Sequence, residues 1–239
     1  MKKLGLLFTI VIMTLLFAVS ATALHYDSYY EEGVSDLTLT FDEITGIATI
    51  SGTGELKKIS IPDIAKELII EEGITSIGDS ALAYNRCKKI ILPKTLVKIG
   101  ENAFLGSVFL EEIDIPDSVT EIGRFAFIGC AELTNISLSE NIAKIEDGTF
   151  ACCPFIEEIT IPKNVKSIGI GAFYGCISIK SLTFPKTVEN IDAFAMVDCL
   201  SLKDIYIYNK DLRTTNYYSS GDYIYGYTTV TLKEGKTLD

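Results

Sequence analysis

Apolar residues recur along this chain in columns rather than in runs. Ile99, Ile122, Ile145, Ile168 and Ile191 stand 23 residues apart, and five residues beyond each comes Phe104, Phe127, Phe150, Phe173 or Met196. Ala103, Ala126, Thr149, Ala172 and Ala195 precede that slot. Gly106, Gly129, Cys152, Gly175 and Asp198 follow two residues after it. Next come Ser107, Cys130, Cys153, Cys176 and Cys199, and three residues later Leu110, Leu133, Ile156, Ile179 and Leu202. Ile113, Ile136, Ile159, Leu182 and Ile205, then Ile115, Leu138, Ile161, Phe184 and Ile207, complete an alternating L-x-x-I-x-I segment. Pro116, Ser139, Pro162 and Pro185 close it, and Val119, Ile142, Val165 and Val188 finish the unit. An earlier copy, over about 74–93, is one residue short and puts Cys87 in the leucine slot.

A fixed period of this length means that one small unit is built repeatedly and stacked. The alternation in L-x-x-I-x-I predicts a short strand with one buried face. Proline cannot donate to a ladder, so it fits where that strand ends. The glycine slot predicts a tight turn at positive φ, with Cys152 and Asp198 as departures. Stacking sets equivalent strands side by side at roughly 4.8 Å as a parallel sheet along one face. The isoleucine and phenylalanine columns then run beneath it as a continuous core. No single copy buries its own apolar face, so the expected fold is a repeat solenoid with capped ends.

The motif I-G-x-x-A-F-x-G-C followed by L-x-x-I-x-I-P, in five successive copies, resembles the BspA-like leucine-rich repeats of bacterial and some protist surface proteins. The resemblance covers residues 37–208. Its upstream part, residues 37–41 and 47–54, looks like the β-hairpin that commonly precedes repeats in these proteins. It implies a leucine-rich-repeat horseshoe of about 23-residue repeats with a parallel β-sheet on one face. It also implies a role in surface recognition or adhesion, with no catalytic residues.

The ends differ in composition. Residues 1–23 read as a signal peptide: Met1-Lys2-Lys3, an apolar stretch from Leu4, and Ala21-Thr22-Ala23 as an A-x-A exit, with cleavage expected after Ala23. The apolar run is short for a membrane span of about 20 residues. The expected organisation continues with a flexible lead-in over 24–36, a hairpin and capping region over 37–73, repeats over 74–208 and a tyrosine-rich β cap over 209–239. Loss of residues 1–23, with two lysines and no acid, takes the net charge from −11 to −13. That balance argues against nucleic acid, which requires clustered positive charge, and against a grip on anionic lipid. The expected product is a secreted or cell-surface monomer.

Candidate chemistry is sparse. The one histidine, His25, lies in the lead-in, where it makes a poor member of a nucleophilic triad. Gly169-Ile170-Gly171 occupies repeat slots and has no following lysine. Glu112 and Asp114 share a side of a strand at a separation that glycoside hydrolysis could use, but no walled cleft is indicated. Asp117, Glu140 and Asp147 do not make a calcium-loop spacing, and zinc has neither a CxxC nor a histidine partner. No enzyme activity, cofactor or metal is expected. Cys130, Cys153, Cys176 and Cys199 would stack with near-parallel Cα–Cβ vectors, which strains a disulfide. A buried thiol ladder is expected, with one disulfide or more as the alternative.

What varies between copies is the outward face. Its strand positions are Lys89, Glu112, Asn135, Glu158, Ser181 and Asp204, and beside them Ile91, Asp114, Ser137, Thr160, Thr183 and Tyr206. Lys94, Asp117, Glu140, Lys163, Lys186 and Asn209 flank them. A constant interior under a variable exterior suits a scaffold for recognition, and unconstrained drift of exposed residues produces the same contrast. The candidate function is an adhesin-like module binding an extracellular or host-surface protein through this face. The alternative is a carbohydrate-binding surface protein using Tyr217, Tyr218, Tyr223 and Tyr225 at the C-terminal end, where a cap for the last repeat is the simpler role. Asn135-Ile136-Ser137 is a glycosylation sequon, relevant only in a eukaryotic secretory pathway.

Overall fold

The computed structural model describes residues 24–25, 37–192, 194–214 and 231–234, with side chains for 37–192 and 194–212. The signal-peptide stretch and most of the lead-in and cap lie outside the described residues. Among those described there is no helix, and the chain winds as a β-solenoid. Nearly every repeat gives a strand to one side, a shorter strand to a second, and a run of turns to a third.

The first sheet is the one the L-x-x-I-x-I alternation predicts. Ile47–Ser51, Glu67–Ile70, Lys89–Ile91, Glu112–Asp114 and Asn135–Ser137 pair in succession, all parallel. Thr38–Asp42 forms an antiparallel hairpin with Ile47–Ser51, and Leu24–His25 pairs antiparallel with Thr40 and Phe41 outside it. Register pairs Glu112 with Asn135, and Ser181 with Asp204, so the columns read from the sequence are physical columns.

The expectation of one sheet face is incomplete. The two to four residues ending at the repeat isoleucine slot form a second parallel sheet, through Gly54–Leu56, Ile74–Ile77, Lys98–Ile99 and Glu121–Ile122. It resumes with Lys144–Ile145, Ser167–Ile168, Asn190–Ile191 and Arg213–Thr214. Strands this short carry no legible alternation. They exist because the turn before them fixes their height on the stack.

On the third side the turns are also laddered. The N–H groups of Phe104, Phe127, Phe150 and Phe173 donate to the carbonyls of Ala126, Thr149, Ala172 and Ala195 one rung ahead, at 2.7–2.9 Å. The glycine slot has positive φ throughout, and Cys152 at 58° and Asp198 at 60° adopt it as well. A second positive-φ column lies four residues earlier, at Ser80, Asn102, Phe125, Gly148, Gly171 and Phe194.

The core is the set of columns. Phe104, Phe127, Phe150 and Phe173 are fully buried, with neighbouring rings stacked at 5.0, 5.7 and 5.8 Å. Burying each such ring contributes about 1.5–3 kcal/mol, and each stacked pair about 0.5–1.5 more. Ile99 through Ile191 and Val119 through Val188 flank them, also buried. Ile136 and Leu138, in slots that should be buried, are only partly so.

Gly148 combines two constraints. Its φ is +59°, and a Cβ there would come within 2.3 Å of the Phe125 ring one rung below. Gly148→Ala should therefore destabilise the protein by about 1–3 kcal/mol, read as a lower urea midpoint. In a Phe125→Ala background the same change should cost less, because only the backbone strain remains. An unchanged midpoint for Gly148→Ala alone would contradict this packing.

Candidate functional site

The outward side chains of the first sheet sit where the pleat places them. Lys89, Glu112, Asp114, Asn135, Ser137, Glu158, Thr160, Ser181 and Thr183 are exposed, and Asp204 and Tyr206 are half-buried. Tyr217, Tyr218, Tyr223 and Tyr225 lie outside the described residues.

Part of this face is engaged with itself. Lys89 Nζ donates to Glu112 Oε1 at 2.5 Å and, in the adjoining column, Lys88 Nζ donates to Glu111 Oε1 at 2.6 Å. Further along that column Lys180 Nζ donates to Glu157 Oε2 at 2.5 Å. Lys98 lies 3.5 Å from Glu121 on the second sheet, and Arg124 pairs with Asp147 on the turn side. Hydrogen bonding to Glu112 and its charge hold the Lys89 ammonium above its ordinary pKa. Both partners of the sheet pairs are about half exposed, so solvent screens each pair and it adds little to stability. The flanking acids serve the backbone: Asp117 Oδ1 accepts Glu140 N–H, and Glu140 Oε2 accepts Lys163 N–H, both at 3.3 Å.

The first sheet is interrupted. It ends at Asn135–Ser137 and resumes as Ser181–Phe184, Asp204–Ile207 and Thr231–Glu234, leaving Glu158–Thr160 between them outside either sheet. This rung is entered through Pro154. It has no N–H for the turn bond that Val108 and Ile177 make to the carbonyls of Gly106 and Gly175. At the interruption a groove of about 800 Å³ opens on the outward side, lined by Thr160, Ser181 and Thr183 with Lys163, Lys186 and Lys210 alongside. Column analysis places Lys163 and Lys186 in one flanking column. It misses Lys210, which lies one residue beyond the slot held by Asn209.

The cysteines form the expected ladder, as free thiols. Sγ of Cys130, Cys153, Cys176 and Cys199 donates to the carbonyl of Phe104, Phe127, Phe150 and Phe173 respectively, at 3.1–3.4 Å. Below them Ser107 Oγ donates to the Leu82 carbonyl at 3.4 Å, and Asn85 Nδ2 donates to Ser107 Oγ at 2.6 Å and closes the column. Each side chain is small enough for a dry interior and brings a weak donor to a buried carbonyl. Burial pushes the Cys87 thiol up from 9.0 to about 11 and that of Cys199 to about 12. Cys152 alone among the six is exposed. Among the described residues no group of three or more histidine, cysteine, aspartate or glutamate side chains is placed to hold a metal ion.

A family model described as the BspA type leucine rich repeat region matches residues 62–157 and 143–225, in six copies. A leucine-rich repeat protein from Bacteroides ovatus has a similar fold, at 22% identity over 77% of this chain and 67% of that one, with a TM-score of 0.56. The pneumococcal vaccine antigen PcpA is similar at 17% identity over 83% of this chain and 69% of that one, with a TM-score of 0.50. A leucine rich cell surface protein from Faecalibacterium prausnitzii is 20% identical at a TM-score of 0.43, and this chain spans 59% of its length. No curated protein matches the chain.

Two measurements check the thiol ladder. A thiol reagent at neutral pH should modify Cys152 at once and the other five only on unfolding, and Cys152→Ser should remove the fast phase. The folded chain keeps the Cys87 and Cys199 protons above the 9.0 at which the unfolded thiols release them. Stability should therefore be intact below about pH 9 and fall above it, and fall less steeply in a Cys199→Ala variant. A fast phase of several equivalents would overturn the ladder.

Proposed function

The chain belongs to the BspA-type leucine rich repeat family, and from that premise we propose that it is a secreted or cell-surface interaction module that binds a partner protein. The binding surface is the outward face of the first sheet, from Lys89 through Glu112, Asp114, Glu158 and Thr183 to Tyr206. The observation that carries this reading is the contrast within each rung. Buried columns repeat one residue type from rung to rung, while the side chains exposed on the same strands change at nearly every step. The Lys-Lys start, apolar stretch and A-x-A exit of residues 1–23 support export. The partner is an extracellular or host-surface protein, engaged adhesively by a monomer.

The test is binding of the purified protein to panels of surface proteins and glycans. Replacing Glu112, Asp114, Glu158 and Tyr206 together with alanine should abolish protein binding. It should leave the fold intact, since Glu112, Asp114 and Glu158 are exposed and such substitutions shift stability by only about 0.5 kcal/mol each. Half-buried Tyr206 should account for most of any drop in the unfolding midpoint. Replacement of Tyr217, Tyr223 and Tyr225 should leave protein binding intact. Protein binding that survives the first set, together with glycan binding lost in the second, would move the function to the tyrosine-rich end.

A further inference from the structure

The reading of the sheet as a protein-binding face leaves open where on it a partner is held and what chemistry it presents. We propose that the groove at the interrupted rung is a docking slot for an extended acidic peptide segment of that partner. Its carboxylates would meet Lys163, Lys186 and Lys210, and its main chain would lie against Thr160, Ser181 and Thr183. This inference rests on the proposed function and specifies it.

Charge is the first argument. The lysines stand on consecutive rungs, roughly 4.8 Å apart along the stack. Lys88, Lys89, Lys98 and Lys180 each lie beside a carboxylate one rung away. Lys163, Lys186 and Lys210 form no ion pair among the described residues. Like charges stacked this closely repel one another unless a counter-charge is supplied. Lack of an ion pair is common among the described lysines, so what marks these three is their alignment along one groove.

Backbone geometry is the second argument. Glu158–Thr160 occupies a strand position without pairing to the strands on either side, so its N–H and C=O groups are outside the ladder. Peptide groups left in this state are the template to which an extended segment adds. The hydroxyls of Thr160, Ser181 and Thr183 both donate and accept, which suits main-chain amides. Among the described residues the lining has a single aromatic side chain, Tyr208, and it is half-buried, which favours a peptide over an acidic sugar. Glu140 and Glu158 stand at the opposite end from Lys210 and give the groove a polarity, so the acidic end of the segment lies toward Lys210.

The test uses fluorescence anisotropy of a labelled oligoglutamate peptide, an oligoglutamine peptide of equal length, and polygalacturonate as competitor. The glutamate peptide should bind and weaken with added salt, and the glutamine peptide should not bind. A triple Lys163→Gln, Lys186→Gln, Lys210→Gln variant should lose about tenfold or more in affinity. Its unfolding midpoint should be no lower than that of the parent, since the substitutions remove repulsion. Glu158→Gln should tighten binding. Equal binding of both peptides, or unchanged affinity in the triple variant, would overturn the proposal. Polygalacturonate binding without peptide binding would give the groove to an anionic sugar and overturn it as well. Absence of peptide binding while a partner still depends on Glu112 and Asp114 would remove this inference and leave the proposed function standing. Peptide binding with no face-dependent partner would do the reverse.

Discussion

The phenylalanines at the centre of this protein each stack on their counterpart one rung away. That constraint governs the rest. A ladder spacing of about 4.8 Å leaves room for a phenylalanine only if its neighbours stack nearly parallel to it, and the rings of Phe104 through Phe173 do so within 10–17°. The same spacing brings a thiol within reach of the carbonyl of the preceding rung and a surface lysine within reach of a carboxylate. Identity along a column is thus a packing requirement, because a change of size in one rung is felt in the two that touch it.

Columns that hold one residue type were legible in the sequence. The isoleucine, phenylalanine and cysteine columns, and the turn at Gly106 and Gly129, could be assigned because the same physical demand recurs with the same answer. The second positive-φ column was not legible. Ser80, Asn102, Phe125 and Gly148 share no property, and their conformation is imposed by the laddered turns around them. There the adjustment passes between rungs, with glycine at 148 making room for the ring of Phe125. The second sheet escaped notice for a related reason, since strands of two to four residues are too short to show a period.

The outward face was legible as a surface, but its local form was not. Composition alone makes Glu158 and Thr160 one more rung of a regular sheet. Whether that rung joins its neighbours depends on backbone heights that no single column records. The groove is a property of the interruption. Its lysines are ordinary flanking residues until the ladder opens beside them, and repeat proteins vary their surfaces by such local lapses as well as by exchanging side chains.

The thiol column bears on how the chain reaches its folded state. Disulfides form readily in the compartments that exported proteins enter, and this chain carries six cysteines into whatever compartment it occupies. Nothing in the finished stack needs them joined. Each thiol of the column is covered only when its rung closes on the one before it, through a contact to a carbonyl 26 residues earlier. A rung that closes late leaves its sulfur open to oxidation and to pairing with the wrong partner. What guards these thiols is burial in the finished stack, where all but Cys152 are out of reach of solvent.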